Sequence, residues 1–477
     1  MDSTKQIKDV LVIGGGPGGT PGAMALAAAG KVVMLVEAGR GLGGTCLFEG
    51  CIPSKIFRET AARRDEIGRA RNFGLSTGTN DFPAVNWSAV QERRHQILTM
   101  RAQGALGNSA RLSSLEVVFG RARLTSPRSA VVECADGPRR EVTFEQALLA
   151  TGSIPNRLPI PGADLPGVLD SEGLIEIGFV PGTLTLIGGG PIGVEMAQIF
   201  FKLGSRVTLI EEGPRILAPV DEALAKRLQD RLVAEGIEIH TNAKVESIEG
   251  DEECHRVSFQ KADGSNAEVA SQTVVLVTGR HPNIAGLGLE TTAVAHDAHG
   301  VKVDGTLQTD QPGIYATGDI VGHPMFAHWA TAQSLAVAEH LLGRPVAWPR
   351  PETNSAVIFS FPEIGMVGLT EEAARAAGID VRVAQYDYRI DARAQISGEA
   401  EGLLRMVYRE DDRRIVGVHV MIEGAADLMG EAALAVEAGT TLEQMARAIH
   451  PHPTLTEAFG LAARGALASL AAEARKQ

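Results

Sequence analysis

Four cysteines occur in 477 residues, at positions 46, 51, 134 and 254. So few cannot scaffold a chain of this length, so a reducing, cytoplasmic setting is expected. In that setting a close pair points to redox or metal chemistry. The close pair stands in Gly43-Gly-Thr-Cys46-Leu-Phe-Glu-Gly-Cys51-Ile-Pro-Ser-Lys55. Five residues of regular helix rise about 7.5 Å, more than the roughly 4.4–6.8 Å between the α-carbons of a disulfide. A bond between the two sulfurs therefore needs a non-helical or distorted connection, a freedom that Gly43, Gly44 and Gly50 supply. Pro53 suits the first turn of a helix starting just after the pair. A helix dipole would stabilise a thiolate there, and Lys55 adds positive charge one turn on. The environment reads as that of a reactive pair. A metal site would need a second cysteine pair or a nearby histidine to complete it, and two inert buried cysteines are the plainer alternative. Cys134 and Cys254 stand singly in polar, strand-like stretches and read as bystanders.

The elements around the pair are announced by glycines, of which the chain has 54. An apolar strand from Asp9 to Ile13 runs into Gly14-x-Gly16-x-x-Gly19, and Lys31 to Val36 reads as a second strand ending in Glu37. Glycines so spaced allow a tight turn, close approach of a pyrophosphate and tight helix packing, while the acid accepts hydrogen bonds from a ribose. Pro21 is an oddity there, expected to remove a donor and bend the helix start. The pattern recurs as Leu184 to Ile187, Gly188-x-Gly190-x-x-Gly193, and Arg206 to Ile210 ending in Glu211. Each acid stands 23 residues after its first glycine, 14 to 37 and 188 to 211. The chain thus carries two dinucleotide-binding units. Glu211 and Glu212 would repel a 2′-phosphate and favour NAD in the second. A protein holding two dinucleotides commonly passes electrons between them, which makes FAD the natural occupant of the first.

Length suggests about three domains at roughly 150 residues each. A 44% hydrophobic, 22% charged composition is that of an ordinary globular chain, excluding a disordered, collagenous or coiled-coil protein. The net charge of −13 favours neither nucleic acid nor an anionic membrane as partner. No apolar run approaches the ~20 residues that cross a bilayer, and the polar lead-in Met1 to Lys8 does not look like a targeting peptide.

The cysteine segment between two nucleotide fingerprints resembles the pyridine nucleotide-disulfide oxidoreductases with a redox-active Cys-x4-Cys pair, across essentially the whole chain. Ala150 to Pro155, Val277 to Asn283 and Gly313 to Asp319 match further family motifs. The resemblance implies that Asp319 contacts the FAD ribitol and that Gly120 and Ala327 are flavin contacts, alongside Gly14, Gly16, Gly19, Glu37, Thr45, Lys55, Thr151 and Gly152. It assigns NAD to Gly188, Gly190, Gly193, Glu211, Val245 and Gly279. His450-Pro-His452-Pro-Thr-Leu-Thr-Glu457 is similar to the family's acid/base motif, making His452 the acid/base and Glu457 its orienting carboxylate. Lys55 is expected to pair with Glu195 beside the flavin. No metal is implied.

The implied fold is α/β, with two Rossmann-like domains, FAD-binding over 1–150 and NAD-binding over 151–280, a central domain over 281–348 and an α+β dimerisation domain over 349–477. In that last domain Ala356 to Met366 and Leu403 to Val420 read as strands, and the stretches around Thr370 to Ala377 and Gly430 to Ala438 as helices. The implied activity is FAD-dependent oxidation of a protein-bound dihydrolipoyl group through Cys46 and Cys51, with hydride transfer to NAD. The alternative is NAD(P)H-dependent reduction of another disulfide, such as that of glutathione. The mercuric reductases and large thioredoxin reductases of the family carry an extra C-terminal redox pair, and this chain has no cysteine beyond Cys254. The partners implied are a second copy, in a homodimer that joins the cysteines of one subunit to His452 and Glu457 of the other, and a lipoylated carrier on a separate chain. Nucleic acid and membrane insertion are not expected. Phe48-Glu49 and Trp329 depart from the family pattern, where Asn-Val and a lysine are usual, and could bear on carrier choice.

Overall fold

Val10 to Ile13, apolar and buried throughout, form the heart of β1 (Gln6–Ile13), as a parallel strand covered on both faces requires. A computed structural model describes residues 6–76 and 82–476 of the chain. The first five residues of the polar lead-in lie outside them. The chain divides into two units. One comprises the chain up to Pro159 with Leu169–Val180 and Val275–Pro349; the other comprises Ile160–Val168, Pro181–Val274 and the chain from Arg350 onward.

In the first unit β1 leads through the glycine turn to α1 (Thr20–Ala28) and β2 (Val33–Glu37). The bend expected from Pro21 has no cause, because α1 begins at Thr20 and Pro21 falls in its first turn, where backbone N–H groups have no intrahelical partner anyway. Three helices follow: α2 (Gly44–Phe48), α3 (Cys51–Arg69) and α4 (Trp87–Ser109). β3 (Leu115–Ser126), β4 (Ser129–Cys134) and β5 (Arg140–Leu149) complete the sheet. β1 pairs in parallel with both β2 and β5. β3 changes partner along its length: Leu115 to Phe119 lie parallel to β2, and Gly120 to Ser126 antiparallel to β4. Ile314–Ala316 adds to β5 in parallel, so the stretch after residue 281 supplies a strand to the sheet that β1 begins. Beyond β5 come β6 (Ser153–Pro155), paired antiparallel with Arg280–Pro282, and the short α5 (Ser171–Glu176). Leu11, Met34, Val132 and Leu149 fill one face of the sheet, and Val12, Leu26, Leu35 and Val337 the other.

The second unit repeats the βαβ plan with β7 (Thr183–Ile187), α6 (Pro191–Leu203), β8 (Arg206–Ile210), α7 (Glu222–Glu235) and β9 (Glu238–His240). β8 pairs in parallel with β7 and β9. Its C-terminal part is an antiparallel sheet in the order 355–358, 364–368, 415–421, 403–409, 381–387, covered by Ala425–Glu437 and Glu457–Ala474. The core there joins Tyr388, Met406, Val418 and Phe459. The stretches 356–366 and 403–420, expected as strands, are strand each time, broken once by a connection. Pro362 lacks an N–H and sits in the first connection, and Asp411-Asp412 occupy the second. The expected helices appear as Glu371–Ala376 and Ala425–Glu437. Among the described residues no helix is long and apolar enough to cross a membrane.

Candidate active site and nucleotide frames

Cys46 lies inside α2 and Cys51 is the first residue of α3. The required break between them falls at Glu49 and Gly50, both outside helical geometry, with φ of −134° and −141°. Gly43 and Gly44 turn the chain into α2 at φ of 131° and 56°, a region that favours glycine. Both cysteines are free thiols, Cys46 half-buried and Cys51 exposed. Cys46 shares a hydrogen bond with Cys51, which together with burial pushes its thiol above the ordinary range, against the pull of Lys55 and Arg101. The reduced pair thus keeps a proton on Cys46. Arg101, on α4, was not legible as a neighbour, because 50 residues separate it from Cys51 and only the packing of α4 brings it there. Phe48 packs with Leu47, Leu98 and Ile52 under the Arg40 guanidinium, 5.2 Å from the ring centre. Trp329 is buried in the helix Ala327–Leu341, next to the exposed His328.

The two glycine frames anchor their acids in the same way. In the first, Glu37 accepts from Gly15 N at 2.6 Å and from Gly39 N. In the second, Glu211 accepts from Gly189 N and from Gly213 N at 2.6 Å. Each carboxylate is fixed by two backbone donors and retains lone pairs for ribose hydroxyls. α6 starts without a side-chain cap and with its first N–H groups toward the open space at Gly190, whereas in α1 Thr20 N donates to Gly16 O and Gly22 N to the Ser334 hydroxyl, each at 3.0 Å. A β-carbon on Gly14 would stand 2.1 Å from Ala150 O, one on Gly19 1.9 Å from Gly14 O, and one on Gly190 would meet open space. Gly193 is buried within α6. These residues fit FAD and NAD: the glycine turns would admit a pyrophosphate and each anchored acid would accept from a ribose. Arg215, four residues past Glu211, is no phosphate clamp, since its guanidinium donates to the carbonyls of Leu217, Ala218 and Val220.

Other sequence-derived residues are placed as follows. Thr45 sits in α2 beside Cys46, and Lys55 in α3, its Nζ 3.3 Å from Ser54 Oγ. Gly120 stands where β3 changes partner, and a β-carbon there would press on Glu133 O at 2.3 Å, so the neighbouring strand demands glycine at that point. The Thr151 hydroxyl donates to Asn283 O, Gly152 turns at φ of 72°, and Asp319 accepts from Ser153. Ala327 opens its helix. All these belong to the first unit, as does Gly279, whereas Gly188, Gly190, Gly193, Glu211 and Val245 belong to the second. Val245 lies at a bulge of the strand Lys244–Gly250. Glu195, buried in α6, accepts from Phe359 N at 2.9 Å.

His452 and Glu457, also in the second unit, form a pair: Nδ1 lies 3.0 and 3.1 Å from the two carboxylate oxygens. The Thr454 N–H and then His452 hold the Glu457 carboxyl below its usual range. With Nδ1 facing an ionised acid, Nε2 is the nitrogen left to take a proton. The His452 side chain is 72% exposed, open to an external molecule. His450 is engaged with Glu431 at 2.8 Å, which distinguishes the two histidines of the motif.

Residues 8–334 match the family described as Pyridine nucleotide-disulphide oxidoreductase, and 354–463 match its dimerisation domain. A dihydrolipoyl dehydrogenase of Bacillus subtilis is 33% identical over 449 residues, 94% of this chain and 96% of that protein. A leghemoglobin reductase of Vigna unguiculata is 31% identical, covering 95% and 87%. Among solved structures, the Cu(II) complex of the HOCl-induced flavoprotein disulfide reductase RclA from Escherichia coli superposes with a TM-score of 0.85 at 27% identity, covering 96% and 99%.

Proposed function

Because the chain belongs to the pyridine nucleotide-disulphide oxidoreductase family, we propose that it oxidises a protein-bound dihydrolipoyl group through Cys46 and Cys51 and passes the electrons to NAD. The observation that carries this reading is the contact of the two thiols at the start of α3, flanked by Lys55 and Arg101. The family's dihydrolipoyl dehydrogenases use FAD and NAD, and bound FAD supplies the two-electron relay between the cysteine pair and the nicotinamide. The dimerisation domain supports a homodimer, in which His452 and Glu457 of one subunit serve the cysteines of the other.

In the oxidised enzyme Cys46 and Cys51 are joined. His452 takes a proton from one dihydrolipoyl thiol, because the thiolate is the effective nucleophile. That sulfur attacks Cys46, the Cys46–Cys51 bond breaks, and Cys51 leaves as a thiolate. The second dihydrolipoyl thiol then attacks the first lipoyl sulfur, closing the lipoyl disulfide and passing its proton to the departing Cys46. Two electrons have moved to the pair, one proton rests on His452, and Cys46 takes the other, in line with its raised affinity. Lys55 favours the Cys51 thiolate, while Glu457 fixes the His452 tautomer.

NAD is favoured over NADP by Glu211 and by the occupation of Arg215 with backbone carbonyls. The four-domain division, the Lys55–Glu195 pair and a cytoplasmic setting belong to the same reading, the last resting on the low cysteine count. Steady-state turnover of the FAD-loaded dimer tests it. NAD-dependent oxidation of dihydrolipoamide is expected to exceed NADPH-dependent reduction of glutathione disulfide, and the reverse order would overturn it.

A further inference from the structure

The motif Val277–Asn283 contains an arginine to which neither the thiol chemistry nor the nucleotide frames give work. Arg280 opens the short strand paired with β6, where Pro282 stands opposite Ser153. Its side chain is 13% exposed and makes three hydrogen bonds. Nε donates to Ser153 Oγ at 2.9 Å, and Nη2 donates both to Ser153 O at 2.8 Å and to Glu172 Oε1 at 3.0 Å. Glu172 is held in turn in the first turn of α5, whose capping Asp170 accepts from Glu172 N at 3.0 Å and Gly173 N at 2.8 Å.

The direction of each bond follows from the donor inventory. A guanidinium can only donate and a serine hydroxyl has one proton. Ser153 Oγ therefore accepts from Arg280, and its proton has one remaining partner, Asp319 Oδ2 at 2.7 Å. Ser153 is buried, so water does not compete for that proton. Arg280 thus turns the serine into an obligatory donor to Asp319, whose Oδ1 takes no part in this chain. A lysine could not do this, since it lacks the fork that grips Oγ and the carbonyl of the same residue.

We propose that Arg280 is a positioning residue for the flavin: through Ser153 it holds Asp319 turned so that its Oδ1 receives a ribityl hydroxyl. The inference rests on the assignment of Asp319 to FAD. The same guanidinium also reaches the cysteine segment electrostatically. Burial, and Glu172 after it, raise the Glu49 carboxyl above its usual range, with Arg40 and then Arg280 opposing. One cation therefore acts both on the serine that binds Asp319 and on the loop that joins the two thiols.

FAD binding to the apoprotein, followed by quenching of flavin fluorescence, tests the proposal without turnover. Arg280→Lys and Ser153→Ala are each expected to raise the FAD dissociation constant about tenfold, the scale of one hydrogen bond to a charged group. The double variant should be no weaker than the weaker single one, because both act along one chain of bonds. Ser153→Thr, which keeps the hydroxyl, should restore binding, and thermal unfolding of each apoprotein reports on the fold. Wild-type affinity in Arg280→Lys and Ser153→Ala, with weakened binding in Asp319→Asn, would overturn the proposal, as would fully additive losses. Wild-type affinity in Asp319→Asn would instead overturn the assignment of Asp319 on which it stands.

Discussion

The two glycine frames start alike and diverge at one point. Gly43 N donates to Gly15 O in the first and Leu217 N donates to Gly189 O in the second, 28 residues apart in each case. After Gly43 the first chain runs into the cysteine helix, so tightly that a β-carbon on Gly44 would stand 2.8 Å from Gly16 Cα. After Leu217 the second runs through Ala218 and Pro219 to Asp221, which caps α7. The space beside Gly190 stays open. One scaffold therefore serves as a plain nucleotide cradle in the second copy, while in the first the chain leaving the cradle also carries the redox pair. On the proposed function, the difference teaches that the chemistry resides in the short segment 43–55 and in His452 with Glu457, and that binding resides in the frames.

Cys51→Ser attacks that difference most directly, since it reduces the first frame to the role of the second. Dihydrolipoamide turnover is expected to fall to the limit of detection while FAD stays bound with an unchanged molar ratio. Full activity would remove the dithiol step altogether. His452→Gln comes next, with the dithiol half-reaction slowed roughly 10²–10⁴-fold, the range for loss of a general acid/base. Rapid-reaction measurement of flavin reduction by NADH should be unaffected, and equal losses in both directions would refute the role of His452.

The matched acids allow a paired experiment of intermediate size. Each accepts two backbone bonds in its own frame, so Glu37→Ala should weaken FAD and spare NAD, and Glu211→Ala the converse. A lost contact to a charged group is worth about 1.5–3 kcal/mol, or roughly 10- to 100-fold in affinity. Fluorescence titration of FAD and the KM for NAD separate the two. If Glu211→Ala impaired FAD as much as Glu37→Ala does, the frames would not be independent. An arginine added at position 212 in the Glu211→Ala background should shift preference toward NADP.

What could be read in the sequence follows the range of the interactions. Strand, glycine turn, helix and acid lie within some 23 residues of one another, so both frames were visible, and the cysteine pair spans only five. The break at Glu49 and Gly50 was legible for the same reason. Arg101 was not, nor was the bonding of Ser153 to Arg280 and Asp319, whose sequence separations are 127 and 166 residues. Gly120 was placed by motif as a flavin contact, while the β-carbon clash with Glu133 is a fact of strand pairing that no local pattern carries. Pro21 misled because the helix start was set by the third glycine rather than by the turn before it. At 356–366 and 403–420 apolar content gave the strands, and Pro362 and the paired aspartates mark where each stretch is interrupted.

The smallest effect expected lies away from both frames, in the C-terminal sheet. His419 is buried in the strand Ile415–Met421, with Nε2 on Leu369 O at 3.0 Å and Nδ1 without a partner. Directly opposite it stands Arg405, itself tied to Asp221 at 2.9 Å and Glu371 at 2.8 Å, and Glu372 also acts on the ring. Burial pulls the imidazole below its ordinary value, the Leu369 carbonyl, Asp221 and Glu372 opposing and Arg405 adding to the shift. The folded state thus holds His419 neutral, whereas the unfolded chain protonates it near pH 6.5. Its contribution is complete above that pH and is lost as pH falls from there toward the depressed folded value, at no more than about 1.4 kcal/mol per pH unit. Thermal unfolding midpoints between pH 7.5 and 5 should decline more steeply in the parent than in His419→Gln. Parallel profiles would show that the sheet accommodates the imidazolium beside Arg405, and that Asp221 and Glu372 outweigh burial there.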